Sequence, residues 1–188
     1  MNRRIFVLIV GLLLIVQAIP MGHAEYVGSA PSSAVFLSQT RKHTCTLIAA
    51  AMMLRNYAEL HQMDPESFSE SAVRGASWRD GLIHDFDIDS INVQCTSTIR
   101  EAEDRKEYLI LFLRFHPEGV VIYDADLPHA ILLFGYDSET DTFFCADTTT
   151  RRAGRPIPLT ESLLKGKDQD SVIRSIDRLW YITGVRTG

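Results

Sequence analysis

Cysteine is scarce in this chain: Cys45, Cys95 and Cys145 are the three in 188 residues. That is too few for a disulfide-built scaffold, so the fold must rest on a buried apolar core. No two of them stand at metal-ligand spacing, so no metal site is expected. A Gly-rich phosphate loop, a Gly-x-Ser-x-Gly elbow and a heptad pattern are also missing, and no cofactor is expected. Basic blocks are missing too. The chain carries 19 Lys and Arg against 24 Asp and Glu, a net charge of −5, and its densest basic cluster is Arg151, Arg152 and Arg155. Phosphate contacts need clustered cations, which argues against a nucleic-acid partner. No internal repeat or low-complexity linker divides the chain, so one domain is the economical reading.

Only one apolar run is long. Ile5 to Ile19 is apolar apart from Gln17, follows Arg3 and Arg4, and leads to Gly22-His23-Ala24. A positive start, an apolar middle and small residues at a cleavage site make the secretory signal-peptide pattern. The run is about 15 residues, short of the roughly 20 that a membrane span needs. Cleavage after Ala24 is expected. Residues 1–24 are then a signal peptide, 25–35 a small-residue lead-in at the surface, and 36–188 the folded domain. The protein is expected to work outside the cytoplasm, with no membrane association once cleaved.

Cys45 to Met53 contains no charged residue and runs into Leu54-Arg55-Asn56-Tyr57-Ala58-Glu59-Leu60. Good helix formers, apolar on every side, predict a helix buried in the middle of a domain. A second helix is expected near Pro65 to Arg74, with Asp64 as N-cap and Pro65 at the first helical position, then a turn from Gly75 to Gly81. A third is expected over Thr98 to Phe115, stopped by His116-Pro117-Glu118-Gly119. From Gly119 the period changes to that of strands: Val120–Tyr123, Ala130–Tyr136, Thr142–Ala146 and Arg178–Thr183. Asp85 to Ser90 is acidic but lacks the Gly and Glu of a calcium loop, and is expected as strand or loop. Helices first and antiparallel strands afterwards make an α+β arrangement.

Three separated residues supply a coherent chemistry. Cys45 stands where a loop enters the buried helix, and a helix N-terminus favours the thiolate. His129 opens an apolar strand. A hairpin turn centred near Glu139 sets Asp147 opposite Ile131, which shares a sheet face with His129, so the carboxylate can hold the imidazole. An even-membered turn would shift the register by one and separate the pair. Gln39, six residues before Cys45, is a candidate oxyanion donor. His43 is a rival base whose place at the helix start makes the geometry awkward. Cys95 and Cys145 are expected as reduced core cysteines, with a bridge between them the lesser alternative.

Gln39-x5-Cys45, Pro128-His129-Ala130-Ile131-Leu132-Leu133-Phe134-Gly135-Tyr136-Asp137 and Phe143-Phe144-Cys145-Ala146-Asp147 together resemble the papain-like cysteine peptidases. Within them the pattern is most similar to the branch related to bacterial double-glycine peptidases. The resemblance covers about Phe36 to Thr149 and implies a papain-like fold, with a Cys-bearing helix against a sheet carrying His and Asp. It implies that Cys45 is nucleophile, His129 general base, Asp147 the orienting residue and Gln39 the oxyanion donor. The expected activity is cleavage of peptide amide bonds by a monomer, with a peptide or protein as the partner. Another Cys-dependent acyl transfer, on cell-wall peptides for example, and a catalytically silent binding domain stay open as alternatives.

Overall fold

A computed structural model describes residues 25–79, 82–149, 154–164 and 166–185. The expected signal peptide (1–24), and Arg151 and Arg152 of the basic cluster, lie outside the described residues. Among those residues no helix is long and apolar enough to cross a membrane.

The architecture is α+β. Its helices are α1 (Cys45–Leu60), α2 (Glu70–Ser77), α3 (Arg105–Phe115) and α4 (Gln169–Ser175). The strands are β1 (Tyr26–Gly28), β2 (Trp78–Arg79), β3 (Leu82–Ile83), β4 (Phe86–Ile88), β5 (Ile91–Thr96), β6 (Val120–Asp124), β7 (His129–Asp137), β8 (Thr142–Asp147), β9 (Ile157–Pro158) and β10 (Ile176–Val185). Eight of them form one antiparallel sheet in the order β4-β5-β10-β6-β7-β8-β9, with β1 added along β7, while β2 and β3 pair separately.

Side chains alternate across each strand, and here both faces are covered. Val121, Ala130, Leu132, Phe134 and Trp180 pack with α1. Ile122, Ile131, Leu133, Cys145 and Leu179 pack with α3 and α4. Burial on both faces is why β7 reads as an unbroken apolar run. The charge-free start of α1 has the same cause: every residue from Leu47 to Leu54 is no more than 2% exposed.

Several boundaries differ from expectation. The helix expected at Pro65–Arg74 is a 3₁₀ turn, Pro65–Ser67, followed by α2. Asp64 does cap the turn, accepting from the Glu66 N–H, but Phe68 is buried and breaks the run. Ser69 then caps α2 through the Ala72 N–H, and Gly75 falls inside that helix. The long third helix is also broken: Thr98–Glu101 is 3₁₀, and α3 begins only at Arg105, where Asp104 accepts from the Glu107 N–H. The last strand is longer than expected and is preceded by α4, capped by Asp168. Asp85–Ser90 becomes β4 and a tight hairpin turn at Asp89 and Ser90, both with positive φ.

The lead-in belongs to the sheet. Tyr26, Val27 and Gly28 pair with Asp137, Tyr136 and Gly135 of β7, and Val27 enters the core. The Ser32 N–H and hydroxyl both donate to the Glu59 carboxylate, and Arg55 Nε donates to the Ala34 carbonyl at 2.9 Å. Gly28 is required there: its φ is +96°, and a Cβ would stand 2.1 Å from the Phe134 carbonyl oxygen. Gly28→Ala is therefore expected to destabilise the fold by about 1–3 kcal/mol. Thermal unfolding checks this, with early loss of amide protection at Ser29 and Ser138, whose N–H groups bond Phe134 and Glu25. An unchanged melting temperature would contradict it.

Candidate active site

The β7–β8 hairpin sets the site. Ile131 pairs with Asp147, as the sequence predicts, but by a different route. The turn-proximal pair is Asp137 with Thr142, which encloses four residues. An even-membered turn of this kind puts the register one residue out. Between Leu133 and Gly135 the register shifts, because β7 carries one extra residue, Phe134, against the Cys145–Phe144 step. This β-bulge restores the parity before the strand reaches the site. His129 Nε2 and Asp147 Oδ1 then meet at 3.0 Å.

Asp147 is fully buried. Two backbone groups hold it besides His129: the Thr149 N–H donates to Oδ1 at 3.0 Å and the Leu163 N–H to Oδ2 at 2.8 Å. Burial disfavours its charge. The His129 hydrogen bond and the two N–H donors outweigh that and keep its carboxyl below the ordinary range. Asp147 is thus an anion fixed in place, with one oxygen facing the ring.

With Nε2 on Asp147, Nδ1 is the ring nitrogen left for the thiol of Cys45, and each of the two groups shifts the other's protonation. Cys45 is the first residue of α1, where backbone N–H groups have no intrahelical partner. Burial opposes its thiolate. Against burial stand the His129 hydrogen bond and charge, the Ala130 N–H and the Thr46 hydroxyl, and the thiol is held below its ordinary value. Burial also opposes the imidazolium, yet hydrogen bonds to Asp147 and Cys45, and their charges, push His129 up to about 9. Both shifts favour the same state, an imidazolium–thiolate pair.

The pair sits at an open cleft of about 670 Å³. Cys45, Thr46, Trp78, Tyr123, Arg178 and Trp180 are among the residues that line it. His43 reaches the same cleft with a left-handed backbone (φ 63°), but the histidine bonded to Cys45 is His129. Gln39 is tied beside the triad by backbone: its N–H donates to the Thr148 carbonyl at 2.8 Å, one residue beyond Asp147. Its side-chain Nε2 donates to the Arg41 carbonyl at 2.7 Å, so an oxyanion would take the second N–H. Cys95 and Cys145 pack on opposite faces of the sheet, which separates them. Among the described residues no cluster of His, Cys, Asp and Glu could hold a metal ion.

Sequence reasoning missed four contributors. The N–H groups of Ala130, Thr149 and Leu163 act through backbone, so their side chains carry no signal. Thr46 carries a faint one, a hydroxyl next to the nucleophile.

Alkylation of Cys45 by iodoacetamide is expected to set in at lower pH than that of Cys95, whose thiol burial pushes up to about 11. In His129→Ala the apparent pKa of Cys45 is expected to move towards the free-thiol value of about 8.5. Mass spectrometry across pH reads both. An accessible Cys45 that titrates as a free thiol and ignores His129 would contradict the pair.

No known protein family, no curated protein and no solved structure matches the chain, so the geometry of Cys45, His129 and Asp147 carries the functional reading.

Proposed function

We propose that this chain is a secreted cysteine peptidase of papain-like architecture, cleaving peptide amide bonds through Cys45, His129 and Asp147. One observation carries the proposal. The His129 ring is hydrogen-bonded at 3.0 Å to the buried Asp147 carboxylate and acts on the Cys45 thiol, which lines an open cleft. The three roles of nucleophile, base and orienting group are each filled by a residue suited to it. Secretion belongs to the same proposal and rests on Arg3, Arg4, the apolar run and Gly22-His23-Ala24.

The Cys45 thiolate attacks the scissile carbonyl carbon, forming the C–S bond and moving the carbonyl electron pair onto oxygen. The Cys45 backbone N–H, with the second Nε2 N–H of Gln39, steadies that oxyanion. As the C–N bond breaks, His129 gives its Nδ1 proton to the leaving amine. A water then loses a proton to the neutral imidazole and attacks the thioester, which releases the acid and restores the thiolate. Asp147 stays ionised throughout and keeps the ring in place.

The test is hydrolysis of fluorogenic peptide libraries by the mature protein. Cys45→Ala and His129→Ala are each expected to lower turnover by at least about 10³-fold. The pH profile follows from the shifts. Activity is lost as pH falls through the lowered thiol value, and again as pH rises through about 9, where His129 gives up its proton. Product analysis with an added amine separates hydrolysis from transamidation. No turnover on any library, together with a Cys45→Ala protein that keeps its biological effect, would overturn the proposal in favour of a silent binding domain.

A further inference from the structure

Arg178 and Trp180 bring hydrogen-bond donors to the cleft that Cys45 lines. Arg178 and Trp180 lie two residues apart on β10 and so share a sheet face. Arg178 pairs in register with Tyr123 of β6, and its guanidinium lies 5.6 Å from the Tyr123 ring centroid. Tyr123 in turn is within electrostatic reach of the Cys45 thiol. The guanidinium thus lines the same cleft as the Cys45 thiol.

Asp177 is shared by two guanidiniums: Arg178 Nε at 2.9 Å and Arg100 Nη1 at 3.3 Å. Nε is the Arg178 donor that Asp177 takes, which leaves the two Nη groups as its remaining donors. Trp180 adds a second sign of an absent acceptor. Its side chain is 3% exposed, and its indole Nε1–H, shielded from water, has no hydrogen-bond partner among the described residues. A shielded donor without an acceptor is costly, and an acceptor brought by a ligand removes the cost. Asp85 also lines the cleft, but its Oδ1 already accepts the Cys95 N–H at 2.8 Å.

Resting on the peptidase reading of this cleft, we infer that Arg178 and Trp180 form a subsite for a substrate carboxylate close to the amide that Cys45 attacks. The substrate class is a peptide carrying an acidic side chain, or its own free C-terminus, beside the scissile bond. Arg supplies a planar pair of charge-assisted donors suited to a carboxylate. The apolar surfaces of Trp78 and Ile83 receive a neighbouring apolar side chain.

Binding to the Cys45→Ala protein tests this without requiring turnover. The probes are four pools of N-acetylated hexapeptides: Glu-fixed or Gln-fixed, each with an amidated or a free C-terminus. The chain's two tryptophans, Trp78 and Trp180, both line the cleft and report binding by fluorescence. Pools with a carboxylate are expected to bind at least ten-fold tighter than the Gln-fixed amidated pool. The Glu-amidated and Gln-free-acid pools tell side chain from C-terminus. Arg178→Gln should erase the preference, Arg178→Lys should keep part of it, and Asp85→Asn should enlarge it. Equal binding of all four pools, binding of none, or a preference that survives Arg178→Gln in a protein with unchanged circular dichroism would overturn the inference. If acidic pools bind but the wild-type protein cleaves no library and Cys45→Ala keeps its biological effect, the peptidase reading fails and the carboxylate subsite stands.

Discussion

A carboxylate with no exposure to water must be paid for by its neighbours, and Asp147 is such a group. An unpaired ion in that position would cost several kcal/mol. The Thr149 N–H, the Leu163 N–H and the His129 ring each donate to it, so both oxygens are occupied from fixed directions. Everything else at the site follows from that anchoring. The carboxylate holds Nε2 of the ring, the ring turns Nδ1 towards the thiol, and the helix start presents the sulfur. Leu163 ties in a segment far along the chain, so the stretch after β9 is part of the site without contributing a side chain to it.

The sheet is what brings these parts together. β7 is covered on both faces, pairs with β6 and β1 on one side and with β8 on the other, and begins with His129. α1 packs across it with an interior that carries no charge until Arg55. A helix apolar on all sides has no freedom to rotate a polar face outward, and that fixes the direction in which its first residue points. The Ala130 N–H, from the second residue of β7, reaches the same sulfur that His129 reaches. Strand and helix therefore meet the thiol with a backbone donor and a side chain at once.

Much of this was legible in the residues, and the rest was hidden for definable reasons. Charge-free Cys45–Met53 announced a buried helix, and the apolar run after His129 announced a buried strand. The pairing of Ile131 with Asp147 was also foreseen, although the sequence argument assumed an odd turn and a regular ladder. The real hairpin has a four-residue turn and a bulge at Phe134, and the two offsets cancel. Bulges leave little trace in composition, while Gly135 beside Phe134 was a usable hint of backbone crowding. The break before α3 could have been found: Asp104 three residues before Glu107 is a capping pattern. β1 could not, because a three-residue strand of Tyr, Val and Gly has no periodicity to read. Gln39 is linked through its backbone to Thr148, the neighbour of Asp147, but the bond of its amide to the Arg41 carbonyl depends on loop geometry that spacing does not encode.

The most direct measurement is the protonation state of His129 itself, followed by NMR of its ring across pH in the wild-type protein and in Cys45→Ser. The action of Asp147 and the Cys45 thiol on the ring predicts that it stays protonated past neutrality, titrates near 9, and titrates lower once the thiol is replaced. A ring that titrates near the ordinary histidine value of about 6.5, and is indifferent to Cys45, would contradict the ion pair on which the proposed chemistry depends.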